Sequence, residues 1–503
     1  MSASFPGLPP APPPPEPVLA TAVILWRDGP AGMPAPGGRE LVLVRRGMDR
    51  RFAGGFHAFP GGRLDPGDAA VAVEGASGEA ARLVACAVRE LFEETGVLVA
   101  RGAERVPRTL RDEVRRALLD GGLDLGAALA RLGVTLVSEP FVPAGRWVTP
   151  SQMPLRYDAR LFAVRLPPGE VPDVWPGELS GGELVPARTA LRRWTTGEVL
   201  LYPPNLHGVR TVAREGPLDV AALVAPPVEA TSRIEFQEGF FQLATRTPTL
   251  PPATHTNSWA LPLAGPGGER TGLALLDPGS PWPDEQEALA AAAAALGRPV
   301  REIWLTHAHP DHVGGVEALS RRLGAPVRAH VLARDRVAVP ILPVRDGDLL
   351  GGRFRALETP GHAREHLVFL DEVTGALAAG DMVSTLSTIV IDPPEGDMAE
   401  YERQLERLRG LSPRTLYPAH GQPAPDGVGF LGAYREHRRA REALVVEALT
   451  AGGTLGEITA RAYTDTPVAI HPVAERSCLA VLEKLVRTGM AIGPDRDGRF
   501  EKK

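Results

Sequence analysis

The run His307-Ala-His309-Pro-Asp311-His312 restricts this chain more than any other segment. It follows Glu302-Ile-Trp-Leu-Thr306, which is apolar and β-branched enough to read as a strand. Three imidazoles and a carboxylate within six positions add nothing to a packed core, where each unpartnered polar group costs about 1–3 kcal/mol. On a loop at a strand tip, imidazoles two apart can turn to one side and bind a borderline metal such as Zn²⁺. The spacing therefore predicts an α/β architecture that carries this run on an open strand end.

The 503 residues allow about three domains at roughly 150 residues each. Gly and Pro number 55 and 51, which is loop-rich but short of the roughly 25–30% expected of a mostly disordered chain. A net charge of −6 excludes a long electrostatic track for duplex nucleic acid. Cys86 and Cys478 are the two cysteines, too few for a disulfide framework or a CxxC zinc site. Residues 1–17 are proline-rich and lack a basic stretch followed by an apolar one, so they read as an extended leader and not a secretory signal. No apolar run reaches the roughly 18–20 residues of a membrane span. A cytoplasmic protein without membrane partners is expected; the sequence carries no signal for oligomeric state.

Runs at 21–26 and 41–44 predict a strand pair. Apolar spacing over 78–96, ending at Gly, predicts a helix. Residues 224–229, with Pro-Pro at their centre, break both kinds of element and make the expected linker. The expected division is a leader at 1–17, a first α/β domain at 18–223, a second at 224–430 and a C-terminal cap at 431–503. That cap is expected to open with a long helix at 434–450, followed by two short helices and a hairpin in winged-helix manner.

The predicted helix ends in Arg89-Glu90-Leu91-Phe92-Glu93-Glu94-Thr95-Gly96-Val97. Glu90, Glu93 and Glu94 stand at i, i+3 and i+4 and share one face. Three like charges so close call for a counter-ion, and oxygen-only ligands suit Mg²⁺ or Mn²⁺. Taken alone, such a cluster is also compatible with a solvated charged face. The stretch resembles the Nudix box, G-x5-E-x7-R-E-U-x-E-E-x-G-U, whose second half it matches at every specified position. In the first half Gly62 is in place, Asp68 stands where the family has Glu, and residues 69–88 form a lengthened segment before Arg89. A longer box is similar to the coenzyme A diphosphatase branch. The resemblance implies a Nudix α/β/α sandwich that hydrolyses a diphosphate linked to another group. It implies Glu90, Glu93 and Glu94 as metal ligands, with Glu93 and Glu94 closest to the catalysis, and Arg89 orienting them by a bidentate ion pair. Arg45, Arg46, Arg50 and Arg51 are candidate phosphate contacts. Because the long segment leaves the place of Asp68 undefined, Asp68→Ala is expected to cost far less than loss of Glu94.

The histidine run resembles the HxHxDH motif of the metallo-β-lactamase superfamily. The companion motifs stand in family order: Leu275-Leu-Asp277-Pro-Gly279, Thr359-Pro-Gly-His362, Ala379-Gly-Asp381 and Tyr417-Pro-Ala-His420-Gly. By that resemblance His307, His309 and His362 hold one Zn²⁺, while Asp311, His312 and His420 hold a second. Asp381 bridges the two, and Asp277 supports the loop. Asp311 and His366 are the candidate catalytic residues, with His366 either lining the pocket or bonding behind it. His437 lies on the Arg-rich helix, facing phosphate or solvent. The implied fold is the αβ/βα four-layer sandwich, and the branch is that of lactamase-β-like 2 proteins and their glyoxalase II-like relatives.

Together the resemblances imply a two-site metallohydrolase: a Mg²⁺- or Mn²⁺-dependent diphosphatase and a dizinc hydrolase of small esters or thioesters. The alternative is a dizinc endoribonuclease of single strands whose Nudix half binds nucleotides as a sensor. Residues 431–503 hold 12 Lys and Arg against 10 Asp and Glu, a weak attraction for RNA, which favours small nucleotide or acyl substrates.

Overall fold

The computed structural model describes residues 13–29, 38–48, 53–151, 153, 155–224, 233–265 and 267–503. The chain divides into two compact units, Pro14–Glu238 and Gly239–Lys503. Most of the expected linker, along with Arg50 and Arg51, lies outside the described residues.

In the first unit, the strand Val18–Asp28 lies between Arg39–Arg46, antiparallel to it, and Tyr157–Arg165, parallel to it. Val142–Val148 extends the sheet beyond Tyr157–Arg165, and Leu179–Pro186 pairs with Arg39–Arg46 on the other side. Because successive strand residues face opposite ways, each strand feeds two cores. Val23, Leu25, Val42, Phe162 and Val164 pack under the helix Gly78–Thr95. Their neighbours Ile24, Leu41, Leu43, Leu161 and Ala163 pack against Trp194 and Leu206 of the helices Ala187–Thr195 and Pro203–Val212. Full burial of each such side chain is worth about 1.5–3 kcal/mol, so the alternation makes an α/β/α sandwich of this sequence. Gly96 ends the first helix in the left-handed region at φ 70°, as its position in the sequence predicts.

The second unit contains two sheets. One runs in the order Ile341–Val344, Val327–His330, Val300–Trp304, Arg270–Leu276, His255–Ala264 and Phe240–Arg246. The other runs Leu349–Leu350, Phe354–Glu358, Leu367–Asp371, Ala376–Gly380 and Thr415–Pro418. Aromatic rings join them face to face. Trp304 meets Phe354 and Phe369 at 5.5 and 5.2 Å, and Tyr417 meets Phe240 and Trp259 at 5.0 Å each. The indole of Trp259 donates to the Pro418 carbonyl across the interface. Helices Pro283–Ala294 and Val316–Leu323 cover the outer face of the first sheet, and Met398–Gly410 and Gly427–Ala448 cover that of the second. This is the αβ/βα four-layer sandwich.

Helix 427–448 begins seven residues before the expected 434, despite Gly427 and Gly429 in its first turn. Asp426 caps it by accepting from the Gly429 amide, which offsets the poor helix propensity of glycine. Helices Leu455–Ala462 and His471–Arg487 follow, with Arg499–Lys502 between two short strands as the wing. No helix among the described residues is long and apolar enough to cross a membrane.

Candidate metal centres

The histidine run leaves the strand Val300–Trp304 and bends under Asp277. That residue adopts φ 48°, an uncommon geometry for a non-glycine residue, and its carboxylate is bonded on every side. It accepts from the Thr306 amide at 2.8 Å, the Thr306 hydroxyl at 2.7 Å and His312 Nδ1 at 2.9 Å. Gly279 two residues on is required by proximity, since a Cβ there would lie 1.7 Å from the Asp311 carbonyl oxygen. The aspartate loop and the histidine loop are thus pressed backbone to backbone.

Seven side chains from four segments converge above them. Donor atoms of His307, His309 and His362 lie within 4.8 Å of one another, as do those of His307, His312 and Asp381, and of Asp311, His312 and His420. His309 Nδ1 is 2.9 Å from His307 Nε2 and 3.0 Å from His362 Nε2. His420 Nε2 sits 3.5 Å from both Asp311 and Asp381. Besides His312, three of the rings spend their far nitrogen outside the cluster. His362 Nδ1 bonds the Val390 carbonyl at 2.9 Å, His420 Nδ1 the His255 carbonyl at 3.0 Å, and His307 Nδ1 the Thr306 hydroxyl at 2.9 Å. Such outer bonds fix the tautomer and aim the inner nitrogen.

Protonation differs across the cluster. Burial, reinforced by the surrounding imidazoles, pushes His307 well below its ordinary value and His362 down to about 4. Burial works against the Asp311 carboxylate, but His312 and His420 together outweigh it and hold Asp311 at about 2, while the carboxylates in turn raise His312 and His420 in spite of their burial. Neutral imidazole and ionised carboxylate are the forms that ligate metals, so a cation entering here displaces the protons that His312 and His420 favour. His312 Nε2 and Asp381 Oδ1 are buried at the centre without a hydrogen-bond partner, a costly arrangement that a cation between them relieves. The residues present fit a pair of borderline divalent ions.

Of the two places expected for His366, the structure gives the one behind the pocket. It is fully buried, its Nδ1 bonds the Thr359 hydroxyl at 2.8 Å, and its Nε2 accepts from the Asp381 backbone amide at 3.0 Å. With both nitrogens engaged, it holds the backbone at Asp381. Sequence reasoning also missed two carboxylates. Glu365 accepts from the Ala308 amide at 3.1 Å and from Arg336 at 2.8 Å, steadying the loop between two of the histidines. Glu395 reaches His309 Nε2 at 3.5 Å, and Arg336 contacts it as well. Glu365 could have been noticed beside His366; Glu395 has no local signature.

In the first unit, helix 78–95 carries Glu90, Glu93 and Glu94 against the loop at Gly61 and Gly62. A Cβ on Gly62 would lie 2.4 Å from a Glu90 carboxylate oxygen, so glycine lets the carboxylate lie on the backbone. The Gly61 amide donates to Glu94 at 2.9 Å. The three glutamates do not converge as closely as the histidine cluster, because Arg89 sits between two of them. Its Nη1 bonds Glu90 at 2.9 Å and Glu93 at 3.0 Å. Burial raises all three carboxyls, Glu90 to about 7 and Glu94 well above the usual range, where the Glu90 charge adds to the effect. Arg89 pairs with three carboxylates, Asp68, Glu90 and Glu93, and with Glu94 beside them the oxygen-lined site is short of positive charge. The donor set fits a hard cation. Arg46 acts on Glu94 through its charge, and Arg45 neighbours His57 in the sheet with its Nε buried and unbonded.

The structure gives Asp68 the defined place that the sequence left open. A short 3₁₀ turn, Pro66–Ala70, carries it back onto the helix, where it is almost completely buried. It receives Arg89 in a two-pronged pair, at 2.9 Å from Nε and 3.1 Å from Nη2, and closes a capping box with Asp65. Asp68 is therefore the anchor of the arginine that orients Glu90 and Glu93. Asp68→Ala should destabilise the first unit by about 3 kcal/mol, because it leaves a mostly buried guanidinium short of its main partner. A denaturant midpoint of the Pro14–Glu238 unit that does not move would contradict this role.

The description "Metallo-beta-lactamase superfamily" matches residues 263–420, "NUDIX domain" residues 27–164, and "Beta-lactamase associated winged helix domain" residues 454–496. Among curated proteins, the chain is 27% identical over 249 residues to a beta-lactamase-like protein 2 homolog of Caenorhabditis elegans, covering 48% of this chain and 81% of that one. It is 30% identical over 254 residues to the lactamase-like protein vrtG of Penicillium aethiopicum, covering 48% and 77%. Similar solved structures include a metallo-beta-lactamase family protein from Thermus thermophilus, at 25% identity and TM-score 0.46, covering 53% of this chain and 99% of that one. Another is a NUDIX hydrolase from Alicyclobacillus acidocaldarius, at 29% identity and TM-score 0.36, covering 42% and 98%. The chain belongs to the metallo-β-lactamase superfamily, carries a Nudix domain ahead of that fold and a winged helix after it, and is a metal-dependent hydrolase.

Proposed function

We propose that the chain is a bifunctional hydrolase with a separate metal site in each compact unit. The observation that carries this reading is the convergence of seven metal-binding side chains around the unbonded His312 Nε2 and Asp381 Oδ1. His307, His309 and His362 would hold one Zn²⁺, and Asp311, His312 and His420 the other, with Asp381 shared. When bound, the pair supplies a nucleophilic water at neutral pH and polarises the attacked carbonyl or phosphoryl oxygen. The chain's own part is to hold the rings in one tautomer through Asp277, Val390 and His255, and to keep Asp311 ionised. In the Nudix unit Glu90, Glu93 and Glu94 would hold Mg²⁺ or Mn²⁺ against a diphosphate, with Arg89 spacing the carboxylates.

Small nucleotide or acyl substrates suit this pair of sites better than RNA. Coenzyme A esters carry a thioester and a diphosphate, one bond for each site. Three of the four arginines of helix 427–448 are paired within the fold: Arg435 with Glu406 and Arg441 with Asp465 at the surface, and Arg438 with the Ile389 carbonyl in the interior. Side chains engaged in this way make a weak phosphate track. The full chain purified without chelator and supplied with zinc should carry close to two equivalents and cleave members of an acyl-coenzyme A panel. Absence of transition metal overturns the dizinc site. Zinc-dependent cleavage of unstructured RNA, without thioesterase activity, promotes a single-strand nuclease with a Nudix sensor.

A further inference from the structure

The C-terminal cap reaches the histidine cluster through a single peptide plane. The Val390 carbonyl accepts from His362 Nδ1 at 2.9 Å, and the amide of the same planar unit, that of Ile391, donates to Ser477 Oγ at 3.2 Å. A trans peptide is rigid, with its oxygen and hydrogen on opposite sides, so fixing the amide end also fixes where the oxygen points. Ser477 belongs to the helix His471–Arg487, 86 positions beyond the residue it holds. The preceding residue is clamped as well. The Ile389 amide donates to the Tyr434 hydroxyl at 2.7 Å, and the Ile389 carbonyl accepts from Arg438, both on helix 427–448. The Arg438 guanidinium is itself stacked near the rings of Tyr401 and Tyr434, at 5.2 and 5.6 Å. Ser477, Tyr434, Arg438, Ile389 and Ile391 are all buried, so the bonds are not shared with water. Outside this knot, Arg487 grips Asp397 with two bonds, and Lys484 pairs with Glu402 and Glu442, tying the cap to the helix after the loop.

We propose that Ser477, supported by Tyr434 and Arg438, is a positioning residue for the metal ligand His362, which makes the C-terminal cap a structural component of the zinc site. The inference rests on the reading of the histidine cluster as a metal centre. Without the Ser477 oxygen, the Ile391 amide is unpaired in an apolar setting and its peptide is free to rotate. The Val390 carbonyl then loses its aim and His362 its fixed tautomer. Loss of such outer partners weakens metal binding roughly ten- to a hundredfold.

The test uses the full chain, Zn²⁺ alone and a chromophoric chelator as competitor. Ser477→Ala should weaken one of the two zinc equivalents by roughly tenfold or more and leave the other near its wild-type affinity, with apo thermal unfolding shifted by only a few degrees. Tyr434→Phe should act in the same direction more weakly, and serves as the probe if Ser477→Ala does not fold. Introduced into His362→Ala, Ser477→Ala should change zinc affinity no further, because the two residues act in series. A wild-type chelator curve from both single variants, or full additivity in the double variant, overturns the inference while leaving the metal centre intact. A wild-type chain that takes up no zinc instead overturns the metal-centre reading on which it rests.

Discussion

His307→Ala should reduce hydrolysis by the second unit roughly a thousandfold or more, about 4 kcal/mol of barrier, while the first unit's reaction stays intact. The imidazole stands in two of the three donor groupings, with His309 and His362 and with His312 and Asp381, so its loss opens both. It is also fully buried and bonded to Thr306, so alanine leaves a polar cavity beside the Asp277 network. Sparing of the other activity follows from the division into compact units, since His307 lies in Gly239–Lys503 and the Nudix carboxylates in Pro14–Glu238. Zinc content and turnover should be measured on the same preparation. A variant that keeps both zinc equivalents and its rate would remove His307 from the site.

Glu94→Gln should lower diphosphate hydrolysis by roughly a hundredfold or more. Glutamine has the same shape and still accepts from the Gly61 amide, so the change isolates the charge from the packing. The same neighbourhood gives a second readout. Burial raises Glu90 to about 7 from its ordinary 4.5, so the folded unit holds that proton more tightly than the unfolded chain does. The contribution to stability is full below about pH 4.5 and falls away as pH rises towards 7. Glu90→Gln should remove this component, and Mg²⁺ should offset it in the wild type by favouring the ionised carboxylate. Melting curves across that range, with and without Mg²⁺, will show it. Glu94→Gln with wild-type turnover, or a Mg²⁺ effect absent at pH 7, would leave the glutamates as a charged helix face only.

The sequence by itself determined whatever is encoded by neighbours. The histidine run supplies four cation-binding groups in six positions directly after a strand, where the chain can turn them to one side. Helix 78–95 could be read because its apolar residues repeat at helical spacing and stop at Gly96, and the same spacing puts three glutamates on one face. Asp277, His362, Asp381 and His420 stand in short motifs of their own, and they were recognisable because each motif is local.

Tertiary structure alone decided how each of these groups is used. Whether His366 has a nitrogen to spare depends on Thr359 and on an amide at Asp381, which the fold brings to its two ends. The importance of Asp68 depends on a 3₁₀ turn that lays it along Arg89 across a segment of unusual length. Val390 acts through its carbonyl and Ser477 through a backbone amide, and a peptide group is the same in every residue. Such contacts leave no pattern in the amino-acid order, because they arise only when distant segments close around a common core and each buried donor must find an acceptor.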